Sequence, residues 1–175
     1  MNVRGFGKGT LILVALLVLP SAFVCAQTID QANTDDRQRA VRIARELERD
    51  QFAAGAEEDR NWFVDWMVNG HGTSLDVGWV AEWCVKASCA DLGAIMLFQF
   101  MLSSVAFQIE NPDLENDKDA TDLAGLEGVL RSYRNLLVRF PKIRTANMDE
   151  ALLSLDEDRL AEFLRNIRAK QSPES

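Results

Sequence analysis

No residue between Leu92 and Ile109 carries a charge. A helix over that stretch sets Ile95, Phe98, Met101, Leu102, Val105 and Ile109 on one side, and Met96, Leu97, Phe100 and Phe107 around the rest of its circumference. A helix that is apolar on most sides must be covered on most sides, by other helices or by lipid. Its length lies at the lower limit for crossing a bilayer, and Gln99, Ser103, Ser104 and Gln108 interrupt it. The stretch therefore reads as the central helix of a bundle. Insertion of 92–109 into a membrane is the alternative.

The flanking segments carry helical periodicity. Ala40, Ile43, Ala44 and Leu47 mark a helix within 35–54, and Trp62, Phe63, Trp66 and Met67 mark one within 57–69. Leu75, Trp79, Val80 and Trp83 mark a third over 75–86, and the pattern predicts that the second and third face each other with all four Trp rings in the core. Leu123, Leu126, Leu130, Tyr133, Leu137 and Phe140 repeat at 3-4-3-4-3 spacing, the seam of an antiparallel bundle, and Pro141 ends it. Gly125 and Gly128 weaken that helix by their low propensity. A last apolar pattern over 148–169 has a break near Asp156, with Asn147 and Glu150 resembling a capping box. The expected fold is all-α, with five or six helices in a compact orthogonal array or bundle around a central helix at about 89–109.

The N-terminus reads as an address. Arg4 and Lys8 precede the apolar run Leu11–Leu19, Pro20 breaks it, and Val24-Cys25-Ala26 offers a cleavage site before Gln27. The domain plan is a secretory signal peptide over 1–26, a flexible lead over 27–34, a single helical domain over 35–170 and a polar tail over 171–175. Removal of 1–26 takes the formal charge from −8 to −10. Such an acidic chain is not a nucleic-acid binder, which needs cations against phosphate. The expected location is periplasmic or extracellular.

In that setting Cys84 and Cys89 are expected to pair. On one continuous helix they would point about 140° apart, so a bridge requires a break between them. Ser88, with Asp91 three residues on, supplies a capping signal there. The short loop closed by the bridge would contribute about 2 kcal/mol.

Other candidate sites are few. No P-loop, dinucleotide fingerprint or nucleophile elbow is present, and no cofactor is implied. His71, the one histidine, sits between two glycines in a turn. Asn111, Asp113, Glu115, Asp117, Asp119 and Asp122 place oxygen donors at alternating positions and loosely resemble an EF-hand calcium loop. Asn111 replaces the first Asp, Pro112 stands second, Asn116 replaces the central Gly and Asp122 replaces the bidentate Glu. An acidic interhelix loop with Asp119 as the helix cap is the simpler reading. Charge is segregated here. Residues 110–127 carry a net −6, whereas 128–148 carry +5 from Arg131, Arg134, Arg139, Lys142 and Arg144. Arg131, Arg134 and Arg139 are the candidate docking residues for a protein or an anionic envelope partner. The function expected is that of an exported helical protein acting by binding another protein or an apolar ligand. A carboxylate-dependent envelope hydrolase or transferase is a second reading. A protein that inserts 92–109 is a third; otherwise the membrane is met only through the signal peptide.

Overall fold

The computed structural model describes residues 22–71, 75, 77–87 and 90–171. Among these residues there are seven α-helices and no strand. They are α1 (Ala22–Arg49), α2 (Ala56–Trp66), α3 (Gly78–Ala87), α4 (Ala90–Glu110), α5 (Lys118–Arg139), α6 (Ala146–Asp156) and α7 (Leu160–Gln171). The all-α array around a central apolar helix is the observed fold: α4 packs against α1, α3 and α5. The count exceeds five or six because the last apolar segment is cut into α6 and α7. Asp158 there adopts the left-handed conformation at φ 55°, one that short polar side chains tolerate, and Arg159 N–H donates to Ser154 O at 2.8 Å.

Helix α1 starts at Ala22, so it runs through the expected cleavage point and through 27–34. Residues 1–21 lie outside the described residues. Helix α3 ends at Ala87 and α4 begins at Ala90; Ser88, the expected cap, lies outside the described residues.

The four tryptophans do not share one core. Trp66 and Phe63 are buried with Ile43, Leu47, Leu102 and Val105, and Trp62 packs beside them, between α1, α2 and α4. Trp83 is buried with Met96, Phe100, Leu130 and Tyr133, and Trp79 packs beside them, among α3, α4, α5, α6 and α7. The expectation that α2 and α3 face each other is corrected by α4 itself. Its circumference is apolar on most sides, so each aromatic pair packs against a different flank of it. On one flank Phe63 meets Phe98 edge-on at 5.7 Å, and on the other Trp79 meets Phe100 edge-on at 5.6 Å.

The Leu/Tyr seam of α5 is real but incomplete. Leu126, Leu130 and Tyr133 are fully buried, whereas Phe140 is exposed. A second stripe, Thr121, Gly125, Gly128 and Ser132, is also buried and repeats at the same 4-3-4 spacing. This stripe lies on α4. A Cβ at Gly128 would overlap Ser103 Oγ and Cβ and stand 2.9 Å from Glu48 Oε1. A Cβ at Gly125 would overlap Ser104 Oγ and stand 2.7 Å from Phe100 Cε2. The two glycines are therefore the condition for the close approach of α5 to α4, beyond any effect on helix propensity.

Helix propensity alone would make Gly128→Ala stabilising by about 1 kcal/mol. The contact with Ser103 Cβ, which is tied to the α4 backbone, reverses the sign. Gly128→Ala is expected to destabilise by about 3 kcal/mol and to lower Tm by roughly 5–10 °C. Thermal denaturation of the variant beside wild type decides it, and a Tm at or above wild type would refute the close approach.

Candidate functional site

Three polar clusters and one exposed patch organise the charged residues. The largest cluster lies between α1, α4 and α5. Glu48 is buried on the last turn of α1. Its carboxylate accepts from Arg131 Nε at 2.9 Å and Nη2 at 3.2 Å, from Arg45 Nη1 at 2.8 Å and from Ser103 Oγ at 2.9 Å. Gln99 Nε2 donates to Ser103 Oγ at 2.9 Å and to Ala44 O at 3.3 Å. Gln51 Nε2 donates to Gln99 Oε1 at 2.6 Å and to Ser132 Oγ at 3.0 Å. Arg60 of α2 closes the set by donating to Gln51 Oε1 at 3.0 Å. Burial works to raise the Glu48 pKa. Hydrogen bonds and charge from Arg131, with Ser103 and Arg45 adding, outweigh it and hold the carboxyl below the ordinary glutamate range.

The second cluster joins α3, α5 and α7. The buried Asp122 accepts from Trp79 Nε1 at 3.0 Å, from Lys118 Nζ at 2.9 Å and from Arg168 Nη2. Arg168 also donates to Asp119 Oδ1 at 2.5 Å, and its guanidinium lies 5.4 Å from the Trp79 ring centroid. The third is smaller. Tyr133 Oη donates to Asp149 Oδ1 at 3.2 Å and accepts from Thr145 N–H at 3.2 Å. Thr145 is the cap of α6, its Oγ1 accepting from Met148 N–H at 3.3 Å, in place of the capping box expected at Asn147.

These contacts account for most of the calcium-like run. Asn111 Nδ2 donates to Phe107 O at 2.9 Å and closes α4. Asp117, not Asp119, caps α5, accepting from Ala120 N–H at 3.0 Å. Asp119 and Asp122 are taken by Arg168. Asp113 and Glu115 point outward on the loop. Among the described residues no group of acids converges as a metal site.

The three candidate docking arginines separate. Arg131 is an interior clamp, bound to Glu48 and, at 3.1 Å, to Glu127. Arg134 pairs with Asp156 across to α6. Neither is a free docking cation, because each faces an acid from its own chain that is distant in sequence. Arg139 is the most exposed of the three, its side chain 59% accessible against 47% for Arg134 and 38% for Arg131, and it borders an open apolar surface.

That surface lies where the last turns of α1 and α5 come together. Asn135 Nδ2 donates to Glu48 O at 2.9 Å and sets the two ends side by side. α1 stops at Arg49, and Phe52 N–H donates to Asp50 Oδ1 at 2.9 Å in the turn that leads to Gly55, which is left-handed at φ 86°. α5 stops ahead of Pro141, with Phe140 N–H donating to Leu136 O at 2.7 Å. Each turn thereby presents a phenylalanine. Phe52 and Phe140 meet edge-on at 5.6 Å and remain 50% and 39% exposed, and Val138, two residues before Phe140 on α5, is 85% exposed. The Arg139 guanidinium lies 5.7 Å from the Phe52 ring centroid and 5.3 Å from that of Phe140, and only a long 3.9 Å contact ties it to Asp50. Phe52 and Val138 were not foreseen. An apolar residue inside a turn signal, as at Phe52, and one off the 3-4 seam, as at Val138, are the marks that would have drawn attention to them.

Cys84 is buried in the α3 face of the core, and burial pushes its thiol up to about 12. Cys89 lies outside the described residues. The His71 backbone ends the π turn Met67–His71 after α2. A cavity of about 310 Å³ between α3, α6 and α7 is lined by Trp83, Phe163, Ile167, Lys86, Glu150 and Lys170. No protein-family model matches the chain, and neither a curated protein nor a solved structure matches it.

Glu48 yields a signed pH expectation. Its folded pKa lies below the unfolded one, so its stabilising contribution is complete above the unfolded pKa and is lost as pH falls through the folded pKa. Glu48→Gln leaves Arg131 without its main partner and is expected to cost about 3 kcal/mol at neutral pH, the difference from wild type shrinking in acid. Urea denaturation at neutral pH and in acid measures it. A constant gap between the two proteins across that range would remove Glu48 from the acid limb.

Proposed function

We infer that this chain is an exported helical interaction protein, and that it docks a protein partner through the corner formed by the ends of α1 and α5. The observation that carries this reading is the exposed Phe52–Phe140 pair with Val138, flanked by Arg139. Two adjacent aromatic rings with an arginine across them have the composition of a docking centre, where aromatic residues and arginine carry most of the binding energy.

The buried carboxylates Glu48 and Asp122 are each held by arginines, which favours binding over carboxylate catalysis. Coverage of α4 by α1, α3 and α5 favours a water-soluble protein over one that inserts 92–109. Export rests on the leader pattern of residues 1–26, and the Cys84–Cys89 bridge rests on that export.

Two measurements test these points. A photoreactive amino acid placed at exposed Lys142 is expected to give covalent adducts in secreting cells, lost when Phe52→Ser and Val138→Ser are combined with it. The same probe at exposed Lys86 on α3 is expected to give none. Equal labelling from both positions would refute the corner as a docking surface. The intact mass of the exported protein is expected to begin at Gln27 and to rise by two hydrogens on reduction. Two thiols alkylated without reduction would exclude the bridge.

A further inference from the structure

The α1–α5 corner keeps cations that its own chain does not neutralise. Among the described residues, Arg49 and Lys142 form no ion pair; Arg49 Nε donates only to Arg45 O, at 3.1 Å. Arg139 lies over the Phe52 and Phe140 rings, Lys142 follows Phe140 by two residues, and exposed Val138 precedes Phe140 by two. Such a surface fits an acidic segment that carries an apolar tip.

The opposite end of α5 presents such a segment. Leu114 is 42% exposed and stands between exposed Asp113 and Glu115, neither of which forms an ion pair among the described residues. The tip is preorganised. Pro112–Leu114 form one 3₁₀ turn, Leu114 N–H donates to Asn111 O and Asp117 N–H to Leu114 O, each at 2.9 Å. Gln108 Nε2 donates to Glu115 O at 2.9 Å. A rigid acidic loop loses little conformational entropy on docking.

Within one chain the two surfaces cannot meet, because the 22 residues of α5 hold them roughly 33 Å apart. We propose that the partner of the Phe52–Phe140 corner is a second copy of this chain, docked through its 111–117 loop, with Leu114 against the rings and Asp113 and Glu115 against Arg139 and Lys142. The contact is heterologous, so each copy offers both a donor and an acceptor surface and the assembly is a ring or an open string. A flat anionic bilayer is the rival occupant of the same cations, and the vesicle arm of the test distinguishes it. This inference rests on the corner being a docking surface, and the experiment separates the two.

Sedimentation velocity of the purified protein at increasing concentration, up to roughly 1 mM, is expected to show a rising average mass, and less of it in high salt. Leu114→Lys removes the tip, and Val138→Asp with Lys142→Glu removes the corner. All three positions are exposed, and circular dichroism and Tm are expected to match wild type. Each variant alone is expected to be monomeric, with self-association weakened at least tenfold. Mixed, they are expected to form a 1:1 pair and nothing larger, since one intact tip and one intact corner remain. A monomeric wild type at every concentration, or association unaffected by both variants, overturns the self-docking. A monomeric wild type whose Lys142 probe still labels another protein, or which binds anionic vesicles through the corner, also overturns it. Labelling of another protein leaves the docking surface standing, and vesicle binding reassigns the corner to lipid.

Discussion

The close approach of α5 to α4 at Gly125 and Gly128 is the contact on which the other arrangements depend. The missing side chains let Ser103 and Ser104 of α4 sit against the α5 backbone, in space that a single methyl group would take. Two glycines lower the intrinsic helicity of α5 by about 1 kcal/mol each. What offsets this is tertiary. With the backbones this near, Ser103 reaches Glu48 of α1 and Gln51 reaches Ser132 of α5. The polar groups of three helices are thus satisfied together in a region closed to water. A buried network of this kind is favourable only when nearly every member is paired, and the pairing here depends on the helix separation that the glycines set.

The same network fixes the register of a helix that otherwise lacks one. An apolar surface that is nearly uniform around α4 specifies burial but not orientation, since many rotations about its axis bury similar area. Gln99, Ser103, Ser104 and Gln108 remove that degeneracy. Gln99 and Ser103 face Ala44 and Glu48 of α1, Ser104 Oγ donates to Thr121 O at 3.4 Å, and Gln108 reaches Glu115 O. Once α4 is set in rotation, its two remaining flanks are defined. One takes the aromatic residues of α2 and the other those of α3, which is why the tryptophans, close in sequence, belong to two clusters.

The parts of this architecture legible in the sequence are those governed by period and local signal. The helical class, the centrality of 92–109 and the interruption near Asp156 follow from apolar spacing and capping residues. Pairing between distant segments was not legible. Nothing local distinguishes Arg131, a clamp on a glutamate 83 positions away, from Arg139, which is open to solvent. Caps slipped for the same reason. Asp117 and Asp119 are equivalent as sequence; α5 begins at Lys118, so Asp117 caps it and Asp119, in its first turn, pairs instead with Arg168 on the last helix. The glycine stripe was visible as composition. It was read as a local weakness because its meaning lies in the helix it faces.

Charge over 110–148 shows how tertiary pairing changes such a reading. Acids ahead of α5 and bases at its end suit the helix dipole, so the segregation has an intramolecular cause and does not by itself indicate a partner. Most of these charges are then used within the fold. Glu110 goes to Arg45, Asp117 caps α5, Asp119 and Asp122 go to Arg168, and Glu127 goes to Arg131. On the basic side Arg131, Arg134, Arg139 and Arg144 each face an acid, the Arg139 contact being the long one. What remains is Asp113 and Glu115 at one end and Lys142 beside the loosely held Arg139 at the other. The leftover charges flank the exposed apolar residues at both ends, Leu114 in one case and Val138 with Phe140 in the other. Over 110–148, the charges left without an acid–base partner among the described residues stand close in sequence to apolar residues that reach water, acids next to Leu114 and Lys142 two residues past Phe140. That local coincidence, rather than net charge, is what the proposed self-docking draws on.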